Sequence, residues 1–127
     1  MNYLSLCGTI ERRDGWYEAP LQQQLYRYER KGAYQSEMLP LYLILEALAQ
    51  IGCRSAAQEL HTNARIIPVQ LRKCSFELEH APQEGNYRLR ASCKDNGRQT
   101  VMLTELLSGQ QKTIASAELW VSVMGET

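Results

Sequence analysis

Histidine and phenylalanine are nearly missing from this chain, which has two histidines, His61 and His80, and one phenylalanine among 127 residues. The histidines lie far apart, and the four cysteines (Cys7, Cys53, Cys74, Cys93) form no C-x-x-C pair. Those spacings exclude the usual structural zinc patterns, and no metal or cofactor is expected. Charge of one sign is also lacking. Fourteen basic and fourteen acidic residues cancel, so no global field draws the chain to nucleic acid or an anionic membrane. Cysteines placed singly in apolar segments act as small hydrophobes and suit a reducing compartment. The start, MNYLSLCGTIERRDG, lacks a basic segment followed by a long apolar core. The apolar run from Met38 to Cys53 is shorter than the roughly 20 residues of a membrane span, contains Glu46 and Gln50, and meets Arg54. A cytoplasmic protein with no membrane span is expected, folded as a single domain over residues 1–127.

Hydropathy patterning divides the chain into a helix and a set of strands. Residues from about Leu4 to Tyr28 look extended, with a turn at Asp14-Gly15 and an edge or a break at Pro20. Pro40 suits a first helical turn, and the run that follows continues to about Leu60, roughly 30 Å of helix. Beyond it the period becomes two. Ile66 to Glu79 reads as a long strand. Tyr87, Leu89, Ala91 and Cys93 alternate with Arg88, Arg90, Ser92 and Lys94. Asn96-Gly97 signals a hairpin, Gln99 to Leu107 returns, Ser108-Gly109 turns, and Thr113 to Val123 closes the meander. The expected fold class is α+β: an antiparallel sheet of five or six strands wrapped around a long central helix.

Glu46 stands out within that helix. The segment is apolar on every side, which is the mark of a buried helix. A carboxylate buried there needs a partner or a function, because burial without one costs several kcal/mol. One reading makes Glu46 a buried helix residue bonded to Gln50 one turn on, or to a partner chain. The other makes it an acid or base in a cavity.

The helix in a curled sheet is the hot-dog arrangement, and MLPLYLILEALAQ resembles the signature of the 3-hydroxyacyl-acyl-carrier-protein dehydratases. That pattern runs G-H-F-P-G-x-P-x-x-P-G-V-L-x-x-E-x-x-A-Q. Without gaps, Pro40, Leu43, Glu46, Ala49 and Gln50 fall on the second proline of its P-x-x-P, its leucine, its glutamate and its closing pair. The strand layout is similar over nearly the whole chain. The departures are as informative: Gly32 falls where the histidine stands, Ala33, Tyr34 and Gln35 replace F-P-G, and Leu41 replaces a glycine.

The resemblance implies an acyl-carrier-protein or acyl-CoA thioester as substrate, in fatty acid or polyketide-type synthesis, and a site at a dimer interface. Dehydration needs a base at the carbon beside the carbonyl, an acid for the departing hydroxyl, and donors on the thioester oxygen. Glu46 is the expected catalytic group, since an apolar setting favours the protonated carboxyl that such an acid requires. Leu41 and Tyr42 offer helix-start N–H groups to the thioester carbonyl. Gln50 and Cys53 share a stripe with Glu46 and would line the same cavity, although Cys53 also reads as a small core residue. No base is evident. His61 is 15 residues from Glu46, about 22 Å along a helix, and His80 enters a turn. The expected partner is a second copy, as a homodimer, or a histidine-bearing homologue, as a heterodimer. Four readings follow: a dehydratase with an altered constellation, a non-catalytic member paired with a histidine-bearing homologue, a hot-dog thioesterase using Glu46 on water, and a binding module with no acyl substrate.

Overall fold

A computed structural model describes residues 6–22, 41–77, 87–97 and 99–124. The elements are β1 (Glu11–Arg13), β2 (Trp16–Pro20), α1 (Leu41–Glu59), β3 (Ile66–Phe76), β4 (Arg88–Asn96), β5 (Thr100–Leu107) and β6 (Thr113–Val123). The strands form one six-stranded sheet in the order β1-β2-β4-β5-β6-β3, every neighbouring pair antiparallel. The α+β expectation of a long helix packed on an antiparallel sheet is met. No helix among the described residues is long and apolar enough to cross a membrane.

Alternation sets the inner face of the sheet. Leu89 and Ala91 on β4, Met102, Thr104 and Leu106 on β5, and Ala115, Ala117, Leu119 and Val121 on β6 are all buried. Small residues keep this layer thin, so the helix comes down onto the strands. Gly52 marks the closest approach: a Cβ there would lie 2.3 Å from Leu119 Cδ2 and 3.1 Å from Thr104 Cγ2. The outward faces carry charge, with Arg90 bonded to Glu105 at 2.7 Å and stacked on Trp16 at 4.2 Å.

The helix is not buried all round. Leu43, Ile44, Ala47, Leu48, Ile51, Ser55 and Ala56 face the sheet and are buried, whereas Tyr42, Glu46, Arg54 and Gln58 on the other side are exposed. The sheet covers one half of the helix only. A run that is apolar on all sides does not reveal which half is covered, and the expected burial of Glu46 is corrected here.

The helix ends in a Schellman arrangement. Thr62 N–H donates to Ala57 carbonyl at 3.1 Å and His61 N–H to Gln58 carbonyl at 3.2 Å, with His61 at φ 50°. His61 therefore serves as the helix terminator. Strand β3 is shorter than expected within the described residues and is broken by register shifts at Pro68/Gln70 and Arg72/Ser75. Its outer edge is unpaired among the described residues, and Cys74 on it is exposed rather than packed in apolar surroundings.

Candidate active site

The N-terminal residues reach the open side of the helix because Gly8 permits it. Its N–H donates to Pro20 carbonyl at 2.9 Å, and a Cβ at this position would meet Pro20 Cγ at 2.8 Å. Residues 6–8 then run alongside α1, where side chains of the helix hold their backbone. Gln50 Oε1 accepts the N–H of Leu6 at 2.8 Å and of Cys7 at 3.2 Å. Arg54 donates to Cys7 carbonyl at 2.6 Å. The same spacing of four places Glu46 next in line, and Gln50 Nε2 donates to its Oε1 at 3.2 Å.

Glu46, Gln50 and Arg54 thus form one wall of a cleft of about 700 Å³, within the range of small-ligand sites. Ala49 and Cys53 share that wall, Cys7 to Thr9 form the second, and Arg65 and Pro68 at the start of β3 form the third. Burial pushes the Cys53 thiol up to about 11, with the nearby Glu46 carboxylate adding to the effect. Burial also raises Cys7, opposed by the Arg54 guanidinium. Both thiols stay protonated at neutral pH and are poor nucleophiles there. Glu46 is the ionisable oxygen acid of the cleft, open to water and oriented by an amide whose own direction is set by two backbone donors.

Sequence reasoning named Glu46, Gln50 and Cys53, and the structure brings these three together. Tyr42 is exposed on the open side of the helix and does not line the cleft. Leu41 opens α1, and nothing further of its side chain is described. His61 lies at the far helix end, and Gly32, Tyr34, Ser36, Glu37 and His80 fall outside the described residues. Among the described residues no histidine lines the cleft, and no three His, Cys, Asp or Glu side chains are placed to hold a metal ion. Sequence reasoning missed Cys7, Arg54 and Arg65. Arg54 continues the spacing of Glu46 and Gln50 and was accessible to it; the other two depend on strand order.

No family model matches the chain, and no curated protein matches its sequence. Solved structures do. AziG of S. sahachiroi superposes with a TM-score of 0.69 at 14% identity, over 91% of this chain and 89% of that one. Thioesterase HI1161 from Haemophilus influenzae gives 0.69 at 14% identity, over 91% and 78%. BH2602 from Bacillus halodurans, solved with CoA, gives 0.64 at 14% identity, over 91% and 71%. The chain has the hot-dog fold. Identity this low carries the fold and no more, so the chemistry of this hot-dog domain rests on its own cleft.

Proposed function

We propose that the cleft binds an acyl thioester of CoA or of an acyl carrier protein and hydrolyses it, with Glu46 as the base that takes a proton from the attacking water. The observation that carries this reading is the single solvent-open carboxylate, oriented by Gln50, in a cleft without histidine among the described residues. Hydrolysis needs one base on water and donors on the thioester oxygen. Dehydration needs a separate acid and base, and Gly32 stands where the resemblance would place the second of them. Arg54 and Arg65, which line the cleft together with Glu46, are the proposed donors to the developing negative charge. Names of similar structures, one a thioesterase and one solved with CoA, support the same substrate class.

A pair of subunits completes the proposal. Among the described residues strand β3 offers an unpaired edge, and the cleft borders it at Pro68, so a second chain added along β3 would flank the site. The replacement of histidine by Gly32 favours one further arrangement, a heterodimer with a histidine-bearing homologue in which Glu46 serves a dehydratase site.

Incubation of the purified chain with acyl-CoA and 3-hydroxyacyl-CoA separates these readings. Thiol release that falls by about a hundredfold or more in Glu46→Gln supports hydrolysis. Enoyl product formed only on adding a histidine-bearing homologue supports the heterodimer. Thiol release unchanged in Glu46→Gln overturns the assignment of Glu46.

A further inference from the structure

A second, far smaller space lies beside the cleft. It lies beneath the first half of α1, is walled by Leu6, Leu21, Leu43, Ile44, Ala47 and Leu106, and holds about 10 Å³, no more than one water needs. Gln22 borders both spaces. The partition between them is backbone: Gln22 N–H donates to Leu6 carbonyl at 2.8 Å, and Leu6 N–H is held by Gln50 Oε1 at 2.8 Å. Leu6 and Leu106 are each 1% exposed, so their side chains fill the route that an apolar chain would take past Gln22. Farther along the helix, Gly52 brings α1 directly against Leu119 and Thr104 and leaves no space between helix and sheet at that point.

We infer that Leu6 and Leu106 form a stop that restricts the site to short acyl groups, an inference that rests on the thioester reading above. A chain bedded in an apolar channel gains about fourfold in affinity for each buried methylene. Here that channel is occupied by the protein's own leucines. In the open cleft the polar side chains of Glu46, Gln50, Arg54 and Arg65 stand among the apolar lining, whereas the space behind Leu6 and Leu106 is lined almost wholly by apolar side chains. Truncating Leu106 exchanges an isobutyl group for a methyl and opens the space from within, leaving the Glu46–Gln50 pair untouched.

The test is calorimetric titration of the purified chain with S-alkyl-CoA thioethers from ethyl to octyl, which resist hydrolysis. Affinities in the wild type are expected to stay within about threefold across the series, far below the increments of a chain-binding channel. In Leu106→Ala they should rise about fourfold for each of the first added methylenes and then level off. A steady rise in the wild type overturns the stop, and so does a flat series in a Leu106→Ala variant that still melts cooperatively. Should that variant not fold, Leu106→Val replaces it, and the wild-type series decides independently. Failure of the thioester reading looks different: no thioether binds at any length and no thiol is released, which removes the stop along with it.

Discussion

Gln50 donates its side-chain amide to the Glu46 carboxylate one helical turn away, at 3.2 Å. The direction of that amide is fixed. Its oxygen accepts two backbone N–H groups, of Leu6 and Cys7, so the nitrogen must face Glu46. One residue therefore ties the N-terminal segment to the helix and aims the candidate base.

Two substitutions at Gln50 separate those roles. Gln50→Ala leaves the Leu6 and Cys7 N–H groups without this acceptor, and urea unfolding should show a loss of about 1–3 kcal/mol. Gln50→Glu keeps acceptor oxygens for both N–H groups but loses the donor and sets a like charge beside Glu46. It should stay closer to wild-type stability than Gln50→Ala while thiol release falls about ten- to hundredfold through misplacement of Glu46. Equal activity in Gln50→Glu and wild type would remove the aiming role.

Much of this arrangement was legible in the sequence. The alternation from Tyr87 to Cys93, the Asn96-Gly97 turn and the unbroken apolar run after Pro40 each reported a local backbone preference. What failed was the burial of Glu46. Leucine, isoleucine and alanine surround the helix, and only the sheet decides which of them it covers. Arg65 and Cys7 gave no signal because they reach the cleft through pairings between distant segments: β3 against β6 for one, Gly8 against Pro20 for the other.

Gly52 illustrates the same limit. In the sequence it reads as a helix defect, worth about 1 kcal/mol against alanine. In the fold it is the contact point of helix and sheet, and Gly52→Ala should destabilise the chain by about 1–3 kcal/mol in chemical denaturation. Leu119 is 0% exposed and has no room to turn aside. Combining Gly52→Ala with Leu119→Ala should therefore cost less than the sum of the single changes. Strict additivity would show that the helix simply shifts to make room.

Tyr17 and Glu59 bind the other end of the helix to β2. The buried phenol donates to the Glu59 carboxylate, and burial first, with Glu59 second, pushes Tyr17 up to about 12. A tyrosine raised in the folded state favours folding while it is protonated. Its contribution is whole below pH 10, the ordinary value, and is lost as pH rises through about 12. Tyr17→Phe should cost about 1.5–3 kcal/mol near neutrality, as expected for a hydrogen bond to a charged group. It should also flatten the decline of stability between pH 10 and 12 that the wild type shows in denaturant titrations. A decline that persists unchanged in Tyr17→Phe would assign it to other groups.

Cys53 reports on Glu46 without any need for catalysis. With its thiol pushed up to about 11 from 9.0, it holds about a hundredfold less thiolate than an unshifted cysteine at neutral pH. Exposed Cys74 is labelled first by iodoacetamide, so the measurement uses a Cys74→Ser background with alkylation followed by peptide mass spectrometry. The Cys53 rate should climb about tenfold per pH unit and level only near pH 11. Removing the neighbouring anion lowers the cost of forming the thiolate. Glu46→Gln should then speed labelling of Cys53 about two- to fivefold at fixed pH, whereas Glu59→Gln, at the far end of the helix, should not. An unchanged rate in Glu46→Gln would place the carboxylate too far from Cys53 for the two to share one cleft.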